Sequence, residues 1–228
     1  MKPKRARADS QKKRTEIIRR ATKLFLQKGF DATSTNDICA YAKLTKPSLY
    51  HYFESKNHLL FSVHMRTIET VLYPFLEEVM LIKEPDKRLE TMVREFTRTI
   101  CSHPELRFLL HGTLGIRDKH HAAIRKEWKK FYLLLRDTIS ELQSAGKADR
   151  DVSPSWAALL LLGMVAWITF WFDYKRRDQI DEIARLTVKM AFRGLGSEPG
   201  LPGSASPPSE ERDMKSQEVR KQKNNKKY

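Results

Sequence analysis

Cysteine, glycine and acidic charge are all in short supply in this 228-residue chain. Two cysteines, Cys39 and Cys101, cannot make a disulfide framework or a Cys-cluster metal site. Nine glycines and few β-branched runs argue against a sandwich, a barrel or a doubly wound sheet. No Gly-rich phosphate loop and no defensible Ser/His/Asp set is present, so an enzyme has no supporting constellation and neither a catalytic residue nor a cofactor is assigned. The start, MKPKRARADS, lacks the apolar core of a signal peptide. With the cysteine usage, this gives a cytoplasmic protein as the expectation.

What the chain does have is positive charge: 43 Lys+Arg against 28 Asp+Glu, net +15. Residues 1–28 hold 11 basic and 2 acidic residues, and residues 199–228 hold 7 and 4, which leaves only +3 for the body. Such an excess calls for an anionic partner, nucleic acid or a membrane surface, without choosing between them. The stretch from Ser197 is rich in Pro, Gly, Ser and charge and has almost nothing to bury, so 197–228 is expected to be a disordered basic tail.

Between these ends the apolar spacing is helical. Ile17, Ala21, Leu24 and Phe25 fall on one face, and Gly29 supplies a left-handed C-terminal cap. Ser34 and Asp37 form a capping-box variant that starts a second helix to about Ala42. Thr45 caps a third, Lys46 to Phe53, with Pro47 in its first turn, where a missing N–H costs nothing. Further helices are expected at about 56–81 (kinked at Pro74), 86–102, 104–112, 118–145, 154–173 and 178–194. The fold class is all-α, with an N-terminal three-helix helix-turn-helix head and a C-terminal helical domain.

A helix-turn-helix needs two faces on its third helix. Leu49 and Phe53, four apart, pack inward with Leu44, Ile38 and Phe25, while Pro47, Ser48, Tyr50, His51 and Glu54 fall outside. Such a helix presents its N-terminal end to the major groove, which makes Lys46, Ser48 and His51 candidates for base edges. Tyr50 can reach phosphate with its hydroxyl. Lys56 is expected to meet phosphate by charge and backbone N–H together. Thr35 and Asn36 open the supporting helix where it crosses the DNA backbone.

The stretch GFDATSTNDICAYAKLTKPSLYHYFESKNHLL, with Ser48-Leu49-Tyr50-x-Tyr52-Phe53-x-x-Lys56, resembles the DNA-binding head of TetR-family transcriptional regulators over roughly residues 12–62. The resemblance implies DNA contacts from Thr35, Asn36, Thr45, Lys46, Ser48, Tyr50, His51 and Lys56. It also implies a homodimer on a palindromic double-stranded operator, released by a small effector bound in the body. The family usually has Gly in the turn where this chain has Lys43, so a left-handed Lys43 costs of order 1 kcal/mol. The expected organisation is a basic flexible arm (1–11), the head (12–55), a ligand-binding and dimerisation domain (56–196) and the tail.

In the body, Trp156 to Phe172 has Thr169 as its one polar residue. A helix buried on all sides between two subunits gives that pattern; so does a short membrane anchor, the alternative being a membrane-associated helical protein held by 154–173. The run GMVAWITFWF is similar to a TetR subgroup that responds to acyl-CoA thioesters, although Phe170 and Asp173 stand where that subgroup often has Arg. Trp167 and Trp171, four apart, either contact such an effector or fill core volume. Phe108 and His111 complete the candidate ligand set. His120, His121 and Glu127 lack ligand spacing and read as solvated helix surface.

Overall fold

The computed structural model describes residues 4–107 and 119–196, with the backbone alone at 4–7 and 119–121. It is all-helical, and no strand occurs among the described residues. Helix α1 spans Lys4–Lys28, α2 Thr35–Ala42, α3 Lys46–Tyr52 and α4 Lys56–Thr67. A π-turn, Ile68–Leu72, runs straight into α5, Tyr73–Met80. Then come α6 Pro85–Ser102, α7 Lys119–Ser144, α8 Pro154–Trp171 and α9 Ile180–Leu195, which a single 3₁₀ turn at Arg177–Gln179 precedes.

The main departure from expectation is at the start. Residues 4–11 are helical and extend α1 by about two turns, where a flexible arm was expected. The run KRARADSQ consists mostly of good helix formers and contains neither Gly nor Pro, so nothing stops propagation backward from the packed part. The helix ends at Gly29, φ 83°, whose N–H bonds the Phe25 carbonyl at 2.8 Å.

The kink expected at Pro74 takes a definite form. Proline lacks an N–H, and its ring collides with the carbonyl four residues back. The backbone opens one turn earlier, and Tyr73 N–H bonds the Ile68 carbonyl, five residues away. The α5 residues Phe75, Leu76 and Val79 still reach the core.

The core of the body is built on α6. Leu89, Met92, Val93, Phe96, Ile100 and Cys101 are buried on one stripe, and α7, α8 and α9 all pack against this helix. Phe131 of α7 lies 4.7 Å from Phe96 and 5.8 Å from Phe75, centroid to centroid, knitting α5, α6 and α7 together. Helix α8 buries only one side, Ala157, Ala158, Leu161, Val165 and Ile168. Leu160, Trp167 and Trp171 stand 72%, 61% and 56% exposed. The tail expected from Ser197 lies outside the described residues.

Candidate nucleic-acid interface

The head folds around Phe25, Ile38, Leu49 and Phe53, all at most 3% exposed. Ile38 comes from α2, Leu49 from α3, and Phe53 ends α3 by donating its N–H to the Leu49 carbonyl. Truncating such a side chain to Ala costs about 2–5 kcal/mol.

Each short helix is held at its N-terminus. The Ser34 hydroxyl accepts the Asp37 N–H at 3.1 Å and donates to the Asp37 carboxylate at 2.7 Å, while the Ser34 N–H donates to the same carboxylate at 2.8 Å. Lys28 Nζ adds a 2.9 Å contact to Asp37. Lys28 and then Ser34 hold that carboxyl well below the usual carboxylate range, so it is ionised at any pH near neutral. The turn passes through Lys43 at φ 53°, ψ 52°, the left-handed conformation in which a side chain is strained. Thr45 then caps α3, its Oγ1 accepting the Ser48 N–H at 3.3 Å.

With α3 so fixed, Thr45, Lys46, Pro47, Tyr50 and His51 are exposed and Ser48 is half-buried. At the start of α2, Asn36 is exposed and Thr35 half-buried. On α3 the exposed side is polar and carries Lys46, with no carboxylate from Thr45 to His51. The Thr45 oxygen is used as an acceptor inside the helix, yet its hydroxyl hydrogen remains available to an anion. The His51 ring packs edge-on to Tyr52 at 5.0 Å, which limits the directions its nitrogens can point.

Lys56 is placed otherwise than expected. Its ammonium donates to the carbonyls of Phe30 at 2.9 Å and Thr33 at 3.0 Å and sits 4.1 Å above the Phe30 ring centroid. In the free protein, then, the ammonium is engaged within the head. Charge, the α4 N-terminus and the resemblance all pointed outward to phosphate; the carbonyls that hold the ammonium here belong to the turn just after α1. Sequence reasoning also missed Arg14. Its guanidinium donates to Ser62 Oγ at 2.8 Å and lies 5.0 Å over the Phe53 ring. Arg20 bonds the Tyr41 carbonyl at 3.0 Å, and Arg19 and Arg20 together hold the Glu16 carboxyl down at about 2. Much of the charge on α1 therefore serves the head itself.

The candidate effector residues divide. Phe108 and His111 lie outside the described residues. Trp167 stacks on Phe170 at 4.5 Å, and both it and Trp171 project from the open side of α8. They do not fill the core of this protomer, because α6 and α7 already cover the opposite side of that helix. A groove of about 490 Å³ lies between α5 and α7, walled by Tyr73, Leu76, Glu77, Met80, Lys130 and Leu134. At its polar edge Tyr73 donates to Glu127 at 2.6 Å, and Lys130 pairs with Glu127 at 2.5 Å. Burial pushes the Glu127 carboxyl up, but Lys130 and Tyr73 outweigh it and hold the group below its ordinary value. Among the described residues no group of three His, Cys, Asp or Glu could hold a metal ion.

A capped, two-faced third helix on a helical body defines a helix-turn-helix DNA-binding regulator. Residues 17–63 match the bacterial regulatory proteins of the tetR family, and residues 83–195 match the tetracyclin repressor-like C-terminal domain. The chain is 30% identical over 157 residues to the HTH-type transcriptional regulator UidR of Escherichia coli, covering 68% of this chain and 79% of UidR. It is 24% identical over 192 residues to the HTH-type transcriptional repressor KstR2 of Rhodococcus jostii, covering 81% and 92%. Among solved structures, AibR in complex with isovaleryl coenzyme A and operator DNA superposes with a TM-score of 0.73 at 28% identity, over 79% of this chain and 98% of AibR. The chain belongs to the TetR family of DNA-binding transcriptional regulators.

Proposed function

We propose that this regulator is a cytoplasmic, homodimeric repressor that leaves a palindromic operator when a small apolar effector binds its body, and that the effector is an acyl-CoA thioester. The observation that carries the DNA half is the outer face of α3, exposed, capped and without a carboxylate from Thr45 to His51. In this reading Lys46, Ser48 and His51 meet base edges, and Thr35, Asn36, Thr45, Pro47 and Tyr50 pack on sugar and phosphate. The two α3 helices of a dimer then enter major grooves about 34 Å apart, one helical turn, or a multiple of it.

The acyl-CoA half rests on the likeness to AibR, whose structure holds isovaleryl coenzyme A and operator DNA. The groove between α5 and α7 is of a size for a small apolar group. It lies directly beyond the π-turn that α4 feeds, so occupancy bears on the helix carrying the head. Release requires the effector to bind the DNA-incompetent form more tightly; affinity alone moves nothing.

The test is a footprint on the DNA flanking the protein's own gene, repeated with acyl-CoAs of graded length. A protected palindrome that opens with one thioester supports the reading. A palindrome that no acyl-CoA disturbs removes the effector assignment and leaves the DNA assignment standing. Lys46→Ala is expected to cost about 1–3 kcal/mol on the operator and to relax base preference at one position of each half-site. Full affinity with unchanged preference would remove Lys46 from the base readers.

A further inference from the structure

We infer that Lys56 is a positioning residue that ties α4 to the turn between α1 and α2, so that the reading helix turns with α4 as one body, and that it does this instead of gripping phosphate. The inference rests on the reading of α3 as the base-contacting helix. An ammonium has three hydrogens. Two of the Lys56 hydrogens are committed to the Phe30 and Thr33 carbonyls, and the Phe30 ring covers another side of the group. The carbonyls belong to the tight turn that closes α1: Thr33 N–H bonds the Phe30 carbonyl at 3.1 Å, and Thr33 Oγ1 bonds the Gly29 carbonyl at 2.6 Å. Thr33 is itself buried, and Ser34, the next residue, is the cap of α2. A cation at this point answers the negative end of α1 and fixes where α2 starts.

Lys56 is the first residue of α4, so the tie joins the turn that leads into the supporting helix to the helix that leads into the body. Six residues on, Ser62 of the same helix accepts from Arg14, whose guanidinium covers Phe53 at the end of α3. Helix α4 is thus fastened to the head at two places, near α2 through Lys56 and near α3 through Arg14. A rotation of α4 then carries both short helices with it and does not slide beneath them.

A phosphate contact and a tie leave different signatures in salt. Removing one phosphate contact lowers the slope of log affinity against log salt by about 0.9 and weakens all DNA alike. Removing a tie leaves that slope in place and lowers only the preference for the specific site. Full-length Lys56→Met is compared with wild type on a duplex that the wild type selects from a random-sequence pool, and on poly(dI-dC), across a salt series. The expected result is a loss of roughly tenfold or more on the selected duplex, less than about twofold on poly(dI-dC), and an unchanged slope. A slope reduced by about one contact, with both DNAs weakened equally, would overturn the inference. So would a lower melting temperature with the ratio between the two DNAs intact, since that marks a merely structural lysine.

A second measurement needs no variant. Lysine methylation rates are read by mass spectrometry on the free wild-type protein, with Lys46 as the exposed internal standard. Lys56 is expected to react several-fold more slowly than Lys46 before any DNA is added. Equal rates in the free protein overturn the tie whether or not α3 reads bases, whereas a pool that yields no selected duplex counts against the reading of α3 alone.

Discussion

His64, on the buried side of α4, is 1% exposed, and neither ring nitrogen has a hydrogen-bond partner. Burial pushes its imidazole down to about 4. The folded protein therefore holds it neutral, while the unfolded chain takes up a proton near pH 6.5. A group depressed on folding contributes stability that is complete above the unfolded value and drains as pH falls toward the folded one. Between pH 7 and 5 the wild type is expected to lose about 2 kcal/mol through His64. His64→Leu, which removes two unsatisfied polar atoms from an apolar site, should lack that portion of the loss. His103, which Glu105 raises, titrates in both proteins and cancels. Urea denaturation of both proteins at the two pH values decides it, and an equal acid loss would show that His64 is not the titrating group. Nothing in the sequence marked His64 as buried, since a histidine among Val63, Met65 and Arg66 fits a helix surface as well. Lys43 was easier to read: a lysine where the family has glycine predicts left-handed strain, and φ is 53°.

Segments with strong punctuation were the most legible elements. Thr45 and Pro47, Ser34 and Asp37, and Gly29 gave the end of α1 and the bounds of α2 and α3 to within a residue or two, because caps are local chemistry. The Lys56 contacts were not legible, since the carbonyls it meets lie 26 and 23 residues away in the chain. The π-turn at Ile68–Leu72 was half legible: Pro74 announced a disturbance without saying how the helix absorbs it. A π-turn amounts to one surplus residue in an otherwise α-helical run, which gives a test. Deleting Thr70, exposed at the turn, in a Pro74→Ala background converts the turn to α-helix and keeps Phe75, Leu76 and Val79 in phase with the core. The same deletion at Thr99 in α6 rotates Ile100 and Cys101 by about 100° away from their neighbours. The first variant is expected to melt within about 1–2 kcal/mol of its Pro74→Ala parent and the second to be unfolded at 25 °C. An unfolded Thr70 deletion would mean that the turn's width itself is needed.

At the scale of the molecule, helix α8 is the one described helix long and apolar enough to cross a membrane, with a mean hydropathy of 1.5 over Pro154–Trp171. The folded body already seats one side of it on α6 and α7. The open side shows Trp156, Leu159, Leu160, Trp167, Phe170 and Trp171, with Leu186 and Met190 exposed on α9. Monomers rarely leave so large a contiguous apolar surface to water. In the homodimer proposed above, a second copy would cover it by pairing α8 and α9 with their symmetry mates in a four-helix contact, the same patch meeting itself across a two-fold axis. That proposed dimer would join two heads and so set the spacing between their α3 helices. Trp167→Arg places two like charges near that axis, one from each subunit, in a surface that must lose its water. The variant is expected to sediment as a monomer at micromolar concentration and to lose the palindrome while keeping salt-sensitive binding to bulk DNA, because each head remains intact. Wild type that partitions with membranes and needs detergent to leave them would instead give the exposed face of α8 to lipid.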